Sequence, residues 1–125
     1  MAGPRRSPRT PTIAGMAKMN GDKPKELRRG TNGWVCYAVV NQPICLDQEW
    51  QTWATAWMSK DAFKVEKPGI AYMPRGDDGA SNPDPYATAA TATNKWLVSP
   101  AHLMLLLPDP KMLDVYPTDP RNGGP

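Results

Sequence analysis

The stretch Leu46–Met58 constrains this chain more than any other part of it. Leu46, Trp50, Trp53, Ala54, Trp57 and Met58 recur at i, i+3, i+4 and i+7, while Gln48, Gln51, Thr52 and Thr55 take the opposite side. Asp47 is a good N-cap, Glu49 lies in the first turn where the helix dipole favours an acid, and Lys60 stands at the other end. The spacing predicts one amphipathic helix with three tryptophans on its buried stripe. A core built on that stripe has little else to draw on, because Leu, Ile, Val and Phe together number only 18 of 125 residues. Five Trp and seven Met supply the missing apolar bulk. Gly and Pro together make 25 residues, so much of the backbone must be irregular. The expected fold is a small, loop-rich α+β domain, with the Trp-rich helix on a short, mostly antiparallel sheet. A second reading makes the stripe a stacking platform for sugars or flat ligands; the shortage of other core material favours core.

The strands are less clearly marked. Asn32-Gly33 is a turn signal before Trp34–Val40, a β-branched and aromatic run that reads as a buried strand. Ile70–Met73, Trp96–Val98, His102–Leu107 and Leu113–Tyr116 are further candidates, separated by Pro and Gly. Arg75–Tyr86 reads as loop. The longest strongly apolar run, Leu103–Leu107, is far too short to span a membrane.

Charge divides the chain. Residues 1–30 carry a net +6, including Arg5, Arg6, Arg9, Lys18 and Lys23, whereas residues 31–125 carry −3. Residues 1–25 hold four of the fifteen prolines and no periodicity, so they read as a disordered basic tail ahead of a single domain at 26–125. Such a tail can touch nucleic acid through phosphates alone; it has no aromatic residue to stack on bases, so no specific nucleic-acid partner is expected.

Few residues offer chemistry. The single histidine, His102, opens an apolar strand and reads as structural. A Ser99–His102 dyad would lack the glycines of a nucleophile elbow, and Ser99 precedes a proline. Asp77–Asp84 is dense in oxygen ligands, but the twelfth position from Asp77 is Thr88 rather than the glutamate of an EF-hand. Turn-forming Asp and Asn explain the same letters, and neither a metal nor a cofactor is expected. Glu49 beside Trp50 and Trp53 is the most defensible acid for a small, glycan-directed hydrolase. For ligand binding, the candidates are Arg75, Asp77, Asp78, Asn82 and Tyr86, carried on loops. Cys36 and Cys45, nine positions apart around Asn41-Gln42-Pro43, fit a disulfide across a hairpin, two reduced buried thiols, or half of a metal site.

Three segments carry a resemblance. Leu27-Arg28-Arg29-Gly30-Thr31-Asn32-Gly33-Trp34-Val35-Cys36 is followed by Cys45-Leu46-Asp47 and then by Gly79-Ala80-Ser81-Asn82-Pro83-Asp84-Pro85-Tyr86-Ala87-Thr88. Together they resemble a bacterial family of small, often exported proteins that has no established activity, over about Leu27 to Leu107. Pro100 and His102 stand near that family's later Pro-His, with Ala101 inserted. The resemblance implies a Cys36–Cys45 disulfide, a periplasmic or exported mature protein, a leader where the basic tail stands, and a further C-terminal segment beyond Pro125. No leader is visible in Met1–Gly30, where no apolar run of the needed length occurs, so the cytoplasm is the alternative. The expected function is a non-catalytic binding or structural module of the cell envelope, with a small molecule or an envelope component as partner. The hydrolase and the nonspecific nucleic-acid contact are the alternatives.

Overall fold

The computed structural model describes residues 9–15 and 25–118. Eight short strands and one α-helix follow in the order β1 (Thr12–Ala14), β2 (Glu26–Arg28), β3 (Val35–Tyr37), β4 (Ile44–Leu46), α1 (Gln48–Ser59), β5 (Gly69–Met73), β6 (Ala80–Ser81), β7 (Trp96–Leu97) and β8 (His102–Leu106). Six strands form one sheet in the order β2-β1-β3-β4-β5-β8, and β6 pairs with β7 in a separate ribbon. Every pairing is antiparallel except β1 with β3. The fold is α+β.

The helix begins where its local chemistry says it should. The Asp47 carboxylate accepts the Trp50 N–H at 3.0 Å through Oδ1 and the Ile70 N–H at 2.7 Å through Oδ2. One side chain thus caps α1 and ties it to the edge of β5. Lys60 closes the helix in the left-handed conformation, its N–H donating to the Ala56 and Trp57 carbonyls.

Packing against the sheet depends on small residues in β5. Gly69, Ala71 and Met73 face α1 and are buried, while Ile70 and Tyr72 face outward. A Cβ at Gly69 would lie 2.9 Å from Glu49 Cβ and 3.2 Å from Trp50 Cδ1, so only glycine lets the helix approach this closely. Trp50 settles with Leu46 and Ala71 at the centre of the core, surrounded by Tyr37, Ile44, Trp53, Ala54, Met104 and Leu106. Its indole N–H is buried and has no acceptor among the described residues.

Cys36 and Cys45 are bonded, and they stand directly opposite one another in the β3–β4 register. The disulfide expectation holds, and reduced thiols and a half metal site are set aside. By alternation from Leu46, the bridge lies on the outer face of the sheet, away from α1. Trp34 joins it there, its ring 5.3 Å from that of Tyr72.

Several expected elements differ in extent. Trp34–Val40 is strand only over Val35–Tyr37, because the chain turns at Val39–Gln42, where Asn41 takes a positive φ and Val40 is 83% exposed. Leu46 belongs to β4 rather than to the helix. Leu113–Tyr116 forms no strand; a 3-10 turn spans Pro110–Leu113, capped by the Asp109 carboxylate. Within the stretch expected to be a disordered tail, Thr12–Ala14 is a strand between β2 and β3, and Ala14 is buried. Gly30 permits this, since a Cβ there would fall on the backbone of Thr10, Pro11 and Thr12. The remainder of that expectation, residues 1–8 and 16–24, lies outside the described residues, as do Arg5, Arg6, Lys18 and Lys23. No helix among the described residues is long and apolar enough to cross a membrane.

Candidate functional site

The loop that follows β5 is organised by one carboxylate. Asp77 Oδ1 accepts the Gly79 N–H at 3.0 Å and the Ser99 N–H at 3.1 Å, while Oδ2 lies 3.8 Å from His102 Nε2. His102 Nδ1 lies 2.6 Å from the Pro100 carbonyl oxygen. Both imidazole nitrogens are therefore turned to acceptors in a knot joining the loop to the start of β8. Ser99 enters through its backbone N–H, and its hydroxyl makes no hydrogen bond to the ring. The arrangement is that of a loop fastener rather than of a nucleophile and its base. Gly76 and Gly79 are required here: both have positive φ, and a Cβ would meet Ser99 O at the first and the Trp96 indole at the second.

The five loop residues singled out from the sequence do not converge. Asp77 sits in the knot. Asp78 reaches away, accepting from Gln42 Nε2 at 3.0 Å on the β3–β4 turn, and its carbonyl accepts from Trp96 Nε1 at 3.4 Å. Arg75 is exposed in the turn after β5. Asn82 is exposed and its N–H donates to the Lys95 carbonyl. Tyr86 lies on the helix, its ring stacked on Trp57 at 5.8 Å and 10°, with the Lys60 ammonium 5.4 Å from its centroid. Trp53 also stacks on Trp57, at 6.2 Å and 13°. The Trp stripe is thus divided: Trp50 is core, Trp53 packs against it, and Trp57 stacks with both Trp53 and Tyr86.

Glu49 is placed by tertiary contacts that its first-turn position does not foretell. It is 7% exposed, and Oε1 accepts the Glu66 N–H at 3.1 Å. That bond ties α1 to the segment leading into β5. With Asp47, Trp34 and Lys67 the residue also lines a recess of about 250 Å³ at the start of the helix. The Tyr37 phenol, half-buried on the core side, is pushed above its ordinary pKa by burial and stays protonated at neutral pH.

A second recess begins in the loop the sequence marked and continues into the Ala-Thr run after it. Pro83, Asp84, Ala87, Thr88, Ala89, Thr91, Thr93 and Asn94 line an open surface depression of about 470 Å³. Its frame is hydrogen-bonded throughout. Asn94 is buried, its Oδ1 accepting from Thr91 N–H at 3.0 Å and its Nδ2 donating to the Ala89 carbonyl at 2.8 Å. Thr91 Oγ1 accepts the Asn94 N–H, and Ser81 Oγ donates to the Asn94 carbonyl while accepting the Asp84 N–H. Asp84 Oδ1 holds the Tyr86 N–H at 2.9 Å, and Trp57 Nε1 donates to the Pro85 carbonyl at 3.2 Å. The cleft is thereby fastened to the helix through the aromatic stack. Its walls present threonine hydroxyls, one carboxylate and alanine methyls.

Compared with known protein families, curated proteins and solved structures, the chain gives no match. Function therefore has to be argued from the residues themselves. Among the described residues no cluster of His, Cys, Asp and Glu could hold a metal ion.

Proposed function

We propose that this protein is a non-catalytic binding module of the bacterial cell envelope, and that its ligand seat is the open cleft at residues 83–94. The observation that carries the reading is the buried Asn94 with its bonds to Thr91 and Ala89, because it preforms an irregular loop into a fixed recess. Ordering a loop beforehand removes an entropic cost from binding. Hydroxyls, one carboxylate and methyl groups suit a small neutral polyhydroxy ligand such as a short saccharide. Hydroxyl groups pair with both donors and acceptors, and the methyls cover the apolar faces of the sugar ring.

Titration of the ¹⁵N-labelled protein with maltotriose and with chitotriose tests this. Saturable shift changes centred on residues 83–94 are expected for at least one of them. Thr88→Val combined with Thr93→Val removes two wall hydroxyls that take no part in fastening the loop, and affinity should fall by about tenfold or more, at about 1 kcal/mol per lost hydrogen bond. Absence of any response to about 10 mM of either sugar overturns the saccharide seat.

The placement in the envelope rests on the disulfide, since such bonds persist in oxidising compartments, and on the resemblance carried by Leu27–Cys36. Intact mass after alkylation of native cell fractions tests it separately. A periplasmic species whose cysteines alkylate only after reduction is expected; a cytoplasmic species with two free thiols overturns it.

A further inference from the structure

We propose that the recess at the start of α1 is a seat for a small zwitterion, an aliphatic α-amino acid, whose ammonium is received by Glu49 and whose carboxylate is received by Lys67. The recess opens to solvent and holds about 250 Å³, less than the roughly 300–1,000 Å³ of sites for drug-sized ligands. It shares no residue with the depression at 83–94.

Three segments meet around it, and each is fastened. The turn before β3 is held by the Trp34 N–H donating to Asn32 Oδ1 at 3.0 Å and by Gln51 Nε2 donating to the Gly33 carbonyl at 2.8 Å. The first turn of α1 is tied twice to the segment entering β5, by the Ile70 N–H on Asp47 Oδ2 and the Glu66 N–H on Glu49 Oε1. Walls fixed before binding leave more of the contact energy to the ligand.

Glu49 is the side chain that calls for a ligand. It is 7% exposed, yet its carboxylate has one N–H partner, on Oε1. Oε2 accepts no hydrogen bond and meets no cation among the described residues. A buried carboxylate is costly unless it is paired or fully hydrogen-bonded. Among the described residues only the Trp50 indole nitrogen is both sealed from solvent and unpartnered. Oε2 therefore keeps an opening, and the recess is the surface that Glu49 lines. Asp47, the other carboxylate in the wall, already holds an N–H on each oxygen.

Lys67 lines the same recess and forms no ion pair with Glu49, or with any other acid among the described residues. Two opposite charges thus share one recess without cancelling. A simple cation would be repelled by Lys67 and a simple anion by Glu49 and Asp47, whereas one small molecule bearing both charges answers both. The ammonium of an amino acid suits a carboxylate with one open oxygen better than the two-point fork of a guanidinium does. Trp34 and Pro68 give the wall an apolar part for an aliphatic side chain.

Titration of the full ¹⁵N-labelled chain, disulfide intact, with L-leucine, leucinamide and N-acetyl-leucine tests this. Leucine should give saturable shifts at residues 32–34, 47–49 and 66–67. Each analogue lacks one of the two charges and should bind about tenfold or more weakly, the worth of a hydrogen bond to a charged group. Glu49→Gln keeps an oxygen for the Glu66 N–H and should weaken leucine by a similar factor. Lys67→Met, at an exposed position, should weaken leucine and leave leucinamide unchanged; it decides the matter alone if Glu49→Gln does not fold. No response to about 10 mM leucine overturns the proposal. So do an analogue that binds as tightly as leucine, shifts centred on residues 83–94, or leucine affinity unaltered in the folded variants.

Discussion

Trp50→Ala is expected to cost about 3–5 kcal/mol, the usual range for truncating a buried aromatic residue, and to leave little folded protein. Trp50 fills the space over Ala71 and beside Leu46 that the small residues of β5 leave open. Few aliphatic side chains are at hand to collapse into the vacancy. Urea denaturation followed by circular dichroism measures the loss without relying on the altered tryptophan emission. Trp50→Phe is the informative partner. It keeps most of the ring volume and discards an indole N–H that is buried without an acceptor, a group whose desolvation weighs about 1–3 kcal/mol against folding. Its cost should be about 1 kcal/mol or less. Equal losses in the two variants would show that the N–H is satisfied and that the indole is held by more than packing.

Opening the Cys36–Cys45 bridge is expected to have the next largest effect. Closing a loop across a separation of nine residues lowers the entropy of the unfolded chain by an amount equivalent to about 2.7 kcal/mol. For a domain of this size that corresponds to a drop in Tm of roughly 10–20 °C. The bridge joins two strands of only three residues each, so local pairing contributes little to hold them when it is gone. Cys36→Ala combined with Cys45→Ala, and reduction of the native chain, should shift calorimetric Tm by similar amounts. A shift below about 3 °C would mean that packing alone holds β3 against β4, less than about 0.8 kcal/mol being left to the bridge.

These two effects differ in how far they could be foreseen. The helix with Trp50 in the core, the Asp47 cap and the strand at Ile70–Met73 are local signals, each written within a few positions, and all three appear where expected, although Trp57 leaves the core for the stack with Tyr86. β8 was legible for the same reason. Asp77 was legible as a polar loop residue but not as the fastener of that loop, because its partners Ser99 and His102 lie more than twenty positions away. Tyr86 was marked as a ligand-binding candidate on a loop, and its stack on Trp57 joins residues 29 positions apart. The recess at 83–94 was marked only at its Pro83–Thr88 end; the alanines and threonines beyond left no signal, since their meaning comes from how Asn94 folds the loop around itself. A buried asparagine in a run of small polar residues was the one signal available, and burial is not a property of the letter N.

What the sequence alone determined, then, is the class of the fold and its strongest pieces. An amphipathic helix with an N-cap is encoded by contacts three and four residues apart, and a half-buried strand by alternation. Both kinds of information are present before the chain is compact. Only the tertiary structure decided that Thr12–Ala14 enters the sheet parallel to β3. Three residues carry too few alternations to mark a strand, and a parallel pairing has no turn beside it to announce it. It also decided which face of the sheet the helix covers. Gly69 and Ala71 admit Trp50 on one side, and that choice leaves the disulfide, Tyr72, Leu103 and Leu105 on the other.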